Sequence, residues 1–172
     1  MTRDDILFAL QVTNVTAFLR VIRAGESSQT EDAYRMMFGG KLFESFADHP
    51  RIRHPFGKTY TTAAGAYQFL SRTWDEMAAK YGLADFSPPN QDIAAVGLIA
   101  RRGALQLVME GRIREAIARC AREWASLPGS PYGQPVMSIE KARGIFAAYG
   151  GKSETAAKPV PLLHLRNLRK QR

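Results

Sequence analysis

Apolar residues in the first part of the chain recur at Val15, Phe18, Leu19 and Ile22, the i, i+3, i+4, i+7 spacing of a helix with one buried face. Asn14 or Thr16 suits the start of that helix, and Gly25 its stop. Between Tyr34 and Phe69 the helical period is lost. YRMMF and KLFESF are short aromatic-rich runs on either side of Gly39-Gly40, a pair suited to a tight hairpin. HPRIRHPFGKTYTTAAG then reads as loop with room for another short strand. Helices resume after it. Ser71 suits the cap of a segment that runs to Tyr81 and halts at Gly82, and Ser87 with Pro88 opens one that ends near Gly103. A short helix over 104–110 stops at Gly111. Ile113, Ala116, Ile117, Cys120 and Trp124 then share one face, and after the LPGSPYGQP loop Ile139, Ala142, Ile145, Phe146 and Tyr149 share another. Helices on both sides of a small sheet predict an α+β fold, mainly helical, with a small β-hairpin lobe and a cleft between lobes.

A length of 172 residues suits one domain, large enough to bury a core without staples. The lone cysteine, Cys120, lies on an apolar stripe, so a packed thiol is expected and no internal disulfide. ILFAL follows Asp4 and Asp5 and is broken by Gln11, which makes neither a signal peptide nor a span, and the chain is expected to start in the cytoplasm. A net charge of +8 points to a polyanionic partner such as an envelope polymer, a lipid surface or nucleic acid. Most of that excess sits in residues 151–172, where six Lys and Arg stand against Glu154. We therefore expect a folded domain over 1–150 and a basic tail over 151–172, either a disordered extension or a short amphipathic anchor.

Candidate chemistry narrows quickly. His49, His54 and His164 show no metal-ligand spacing, no glycine-rich loop follows a strand, and no Gly-x-Ser-x-Gly elbow is present, so neither metal nor cofactor is implied. One carboxylate stands out. Glu26 falls just past the C-terminus of the first apolar helix, where the last carbonyls disfavour ionisation. That dipole is worth about 0.3–1 kcal/mol, under one pKa unit, so only burial would keep the acid protonated near neutrality as a general acid needs. Amides and aromatics accompany it in loops and helix starts: Gly65-Ala66-Tyr67-Gln68, Trp74, Gln91, Trp124 and Tyr132-Gly133-Gln134. Such a mixture binds sugars, amides meeting hydroxyls and rings covering C–H faces. Trp74 and Trp124 lie on helical stripes and read as core, whereas Tyr132 and Gln134 occupy a Gly/Pro-rich loop of the kind that carries function.

Glu26-Ser27, Gly39-Gly40-Lys41-Leu42-Phe43, Asp48-His49-Pro50-Arg51, GAYQFLSRTWD, YGLADFSPPNQD, RGAL and above all WASLPGSPYGQ at 124–134 resemble the lambda-type phage endolysin family. The resemblance runs from about Ala17 to Gly151, and the Glu-Ser and Gly-Ala-Tyr-Gln pieces are also similar to goose-type lysozymes and soluble lytic transglycosylases. It implies a lysozyme-like fold and cleavage of the β-1,4 bond between N-acetylmuramic acid and N-acetylglucosamine in peptidoglycan, with a 1,6-anhydromuramoyl product; the alternatives are a hydrolytic muramidase and a module that holds peptidoglycan without cutting it. Glu26 becomes the catalytic acid. Gln68 and Tyr132 become the residues that hold the muramoyl sugar, with Ser27, Tyr67, Gln91 and Ser126 as further substrate-binding candidates. The implied partners are peptidoglycan glycan strands and, through the basic tail, an anionic outer membrane; a monomer without a specific nucleic-acid partner is expected. Synthesis in a host cytoplasm followed by action on the periplasmic wall completes the expectation. The basic tail has no counterpart in the family member that carries these motifs.

Overall fold

A computed structural model describes residues 1–154. Ten elements follow one another: α1 (Arg3–Ala9), α2 (Thr13–Glu26), a 3₁₀ turn (Glu31–Arg35), β1 (His54–Phe56), β2 (Thr59–Thr61), α3 (Ser71–Tyr81), α4 (Pro88–Arg101), α5 (Leu105–Met109), α6 (Ile113–Cys120) and α7 (Ile139–Ala148). The expected mainly helical α+β architecture is present, and the helices from Ser71 onward fall close to the boundaries their periodicity gives. The helix α1 was not anticipated. Thr2 and Asp5 close a capping box on it, and the ILFAL run supplies its buried Ile6 and Ala9.

The helical body is built around α4. Every residue from Ile93 to Ile99 is buried, because α1, α2, α3 and α5 pack around it. Gly97 permits the closest of these approaches, since a Cβ there would lie 2.4 Å from the Tyr81 ring of α3. On α2 the stripe Val15, Phe18, Leu19 and Ile22 is buried as expected. Its start differs. Neither Asn14 nor Thr16 caps it; Val12 is the cap residue, and the Asn14 side chain instead donates to the carbonyls of Met109 and Lys152 while accepting from the Lys152 amide. With the Glu154 amide donating to the Gly111 carbonyl, this fastens the chain to the body through residue 154, beyond the boundary expected at 150. The sequence-derived readings of the remaining tail fall on residues 155–172, outside the described residues.

The small lobe also departs from expectation. Gly39-Gly40 forms a tight turn, but Met36 and Leu42 make only one isolated bridge across it, and Tyr34 belongs to the 3₁₀ turn. Ala33, Tyr34 and Met37 are drawn into the core at a spacing no strand can supply, and the Arg35 guanidinium takes up the carbonyls of Phe43 and Glu44. The strand pair lies further on, in the stretch read mainly as loop: β1 and β2 run antiparallel around Gly57-Lys58, with His54 opposite Thr61 and Phe56 opposite Thr59. An aromatic cluster joins lobe to body. Phe86 meets Trp74 edge-on at 4.6 Å and His49 at 4.9 Å, with Phe69 and Phe43 beside them.

Candidate active site

Glu26 is the final residue of α2, which runs one residue past the stop expected at Gly25. Its position rests on the buried stripe that fixes α2 and on one close approach. A Cβ on Gly25 would stand 2.2 Å from the Ser126 hydroxyl, so glycine is what lets the 124–127 turn come this near. Ser126 then donates its hydroxyl to Glu26 Oε1 at 2.6 Å and its amide to the same oxygen at 3.3 Å. Burial pushes the Glu26 carboxyl up from its ordinary range, and the two Ser126 donors work against that rise without cancelling it. Desolvation therefore pushes in the same direction as the helix dipole.

The 65–69 segment is a bracket beneath this helix end. Ala64 and Phe69 exchange amide-to-carbonyl bonds at 3.0 and 2.8 Å, and Gln68 sits at a left-handed φ of 49°. Ser27 donates its hydroxyl to the Ala66 carbonyl at 2.8 Å, tying the end of α2 to this turn. Gln91 is fully buried: its Oε1 accepts from the Ala66 amide, and its Nε2 donates to the carbonyls of Tyr34 and Phe86. Gly65, also left-handed, is needed here, since a Cβ would fall 2.3 Å from Gln91 Oε1.

Of the substrate-binding candidates, two have side chains withdrawn from solvent. Gln91 has both polar atoms committed to backbone, and Tyr67 is 2% exposed with its hydroxyl donating to Asp92 Oδ1 at 2.5 Å. The Gln91 amide is drawn inward because the turn at 65–69 would otherwise bury an unpaired backbone group, whereas the Tyr67 ring packs in the core with its hydroxyl on Asp92. Ser126 and Ser27 are brought to Glu26 and its helix end, engaged with protein partners. Gln68 stays half-buried; its Nε2 donates to the carbonyls of Met36 and Gly65. Tyr132 is 55% exposed, and its hydroxyl donates to the Arg122 carbonyl. Trp74 and Trp124 are core, as their stripes indicate, and the Trp124 Nε1 donates to the Tyr67 carbonyl.

Sequence reasoning missed a buried polar network next to the site. Arg23, one turn before Glu26, is 1% exposed, donates to the carbonyls of Ser28 and Thr30 and to the Tyr34 hydroxyl, and lies over the Tyr34 ring. Tyr34 and Tyr67 both donate to Asp92, whose carboxyl burial pushes upward; burial and the nearby Asp92 charge push the Tyr34 hydroxyl up to about 12. A signal was available: Arg23 stands four positions after Leu19, on the apolar stripe itself, where a cation demands partners.

Among the described residues no group of three or more His, Cys, Asp and Glu is placed to hold a metal ion. A helical body around one long central helix, a two-stranded lobe and a half-buried acid at a helix end define a lysozyme-like enzyme, and the comparisons agree. The fold matches bacteriophage lambda lysozyme complexed with a chitohexasaccharide at a TM-score of 0.78 and 38% identity, covering 83% of this chain and 97% of that one. A second structure of lysozyme from bacteriophage lambda matches at 0.72 with the same coverage. In sequence, the endolysin of Escherichia phage lambda is 46% identical over 128 residues, 74% of this chain and 81% of that protein. The endolysin of Escherichia phage P2 is 35% identical over 154 residues, covering 80% and 93%. The family model Endolysin matches residues 16–153, and the chain belongs to that family.

Proposed function

We propose that this endolysin is a lytic transglycosylase, cutting the β-1,4 bond between N-acetylmuramic acid and N-acetylglucosamine and leaving 1,6-anhydromuramoyl ends. The observation that carries the reading is the Glu26 carboxyl, held at a helix end with its pKa raised by burial. Protonated Glu26 delivers its proton to the glycosidic oxygen as the C1–O bond breaks. The resulting carboxylate takes the proton of the muramoyl 6-hydroxyl as that oxygen closes onto C1, so one carboxyl serves both steps. A hydrolase would need a partner carboxyl about 5–5.5 Å away, or about 6.5–9.5 Å away with water between. Asp48 is held by Arg51 and Asp92 by Tyr34 and Tyr67, which leaves Glu31, Asp32 and Glu44 as the acids a hydrolytic route would draw on. Gln68 and Tyr132 contact the glycan in this reading, the first through its free Oε1 and the second through its exposed ring.

Mass analysis of muropeptides released from purified sacculi tests the chemistry: anhydromuramoyl ends support it, and reducing muramic acid ends replace it with ordinary hydrolysis. Glu26→Gln in a folded protein should lower the rate by about 10²–10⁴ or more. The enzyme made in the host cytoplasm would act after release to the periplasmic wall, with the basic tail drawing it to anionic lipid. Since Lys152 and Glu154 belong to the body, the informative truncation ends at Glu154. That chain should digest lipid-free wall like the full protein and bind anionic vesicles less at low salt; equal vesicle binding would remove the tail's role.

A further inference from the structure

We propose that Ser126 is a positioning residue for the catalytic acid: by directing both its donors onto Glu26 Oε1, it leaves the proton on Oε2 and makes that one oxygen both the donor and the later acceptor. The inference rests on the transglycosylase reading of Glu26 and goes beyond it by assigning the two carboxyl oxygens different tasks. In a neutral carboxyl, one oxygen bears the hydrogen and the other is a bare acceptor. An oxygen already receiving an O–H and an N–H, at 2.6 and 3.3 Å, is the acceptor. Among the described residues Oε2 has no hydrogen-bond partner and is not sealed from solvent, so it is the oxygen available to substrate.

Ser126 is rigidly placed for this task. Its neighbours Trp124 and Leu127 are buried, the Trp124 indole donates to the Tyr67 carbonyl, and the Met137 amide donates to the Ser126 carbonyl at 2.9 Å. On the other side, Gly25 keeps the space open, with Met137 Cε 2.9 Å from where a Cβ would stand. Four consecutive events then involve one hydrogen position. The Oε2 proton moves to the glycosidic oxygen, the C1–O bond breaks, the 6-hydroxyl oxygen bonds to C1, and its proton returns to Oε2. Through all of them Oε1 keeps both donors, which steadies the transient carboxylate without any movement of the protein. The influences on the Glu26 carboxyl are the surroundings that strip its water and the two Ser126 donors. No charged side chain on α2, on the 124–127 turn or on the Met137 segment enters the balance.

Ser126→Ala removes the hydroxyl donor and retains the amide. The kcat on soluble glycan strands should fall about 10- to 100-fold with KM little changed, the range expected for one hydrogen bond to a charged group. The alkaline limb of the pH profile should move upward, because the lost donor favoured the ionised carboxyl. Titration of the ¹³C-labelled Glu26 carboxyl gives the same upward shift independently of turnover, on protein whose folding is checked by its melting curve. Unchanged titration and pH limb overturn the proposal, whatever the rate. A rise in KM alone also overturns it and returns Ser126 to the substrate-binding residues. If instead the wild-type products carry reducing ends, the chemistry of Glu26 is revised while the Ser126-dependent titration shift still decides the positioning role.

Discussion

In the helical body, α4 is buried from Ile93 to Ile99 and its neighbours contribute apolar faces, whereas from Ser27 to Leu70 the chain exposes six large apolar side chains, Phe38, Phe56 and Tyr60 among them. Beside its few core residues, this second region is held by polar clasps. Gln91 clasps Ala66, Tyr34 and Phe86; Gln68 clasps Met36 and Gly65; Arg23 clasps Ser28 and Thr30; and His49 reaches the Phe69 carbonyl at 2.8 Å. Apolar contacts tolerate a shifted methyl group because they are non-directional. Hydrogen bonds to backbone carbonyls do not tolerate such a shift, so they fix the geometry of the lobe where Ala33, Tyr34, Met37, Phe43 and Phe69 dock it on the core. The catalytic carboxyl sits where the two regions meet, carried by a helix of the first and tied through Ser27 to a turn of the second.

The sharpest test of that contrast is Gln91→Leu, which preserves volume but strands an amide and two carbonyls. Destabilisation of about 3 kcal/mol or more is expected in urea unfolding, with loss of wall-digesting activity; a cost under about 1 kcal/mol would show that the lobe does not depend on the clasp. In the body, Ile117→Val should cost only about 1 kcal/mol and leave activity intact. A larger activity loss than stability loss there would break the division between regions. Smaller still is a pH effect at His49, whose pKa burial lowers below the ordinary 6.5. Because the unfolded chain takes up the proton first, stability should be full above about pH 6.5 and decline as pH falls toward the folded value. His49→Gln, which keeps a donor and does not titrate, should flatten the difference in urea midpoint between pH 7.5 and 5.5. Last, Tyr132→Ala should change stability by less than about 0.5 kcal/mol, since the ring is exposed, while weakening glycan binding by removing the ring that meets the sugar.

Legibility in the sequence follows the same line. The buried faces of α2, α3, α4, α6 and α7 were readable because apolar burial imposes a 3.6-residue period. Glu26 was readable as an anomaly against the helix dipole, and the motif resemblance around WASLPG pointed to the turn that meets it. The lobe was not readable in the same way. Its strands are three residues each, too short for an alternating pattern to register, and Tyr34 and Met37 are buried by contacts remote in sequence. Tyr67 and Gln91 were assigned to sugar because amides and phenols are common to both uses. Only burial separates an amide that binds a ligand from one that replaces a missing strand partner, and burial here depends on residues 25 positions apart.

The clasp between Asn14 and Lys152 has an engineering consequence. It fixes the departure of the C-terminal segment beside the first turn of α2, twelve residues before Glu26, which at 1.5 Å per residue is about 18 Å along the helix. An affinity module, fluorophore or surface linker attached after Glu154 therefore begins at the rear of the enzyme relative to its acid. Immobilised through that end, the protein would present its working carboxyl outward, with the length of α2 as the spacer.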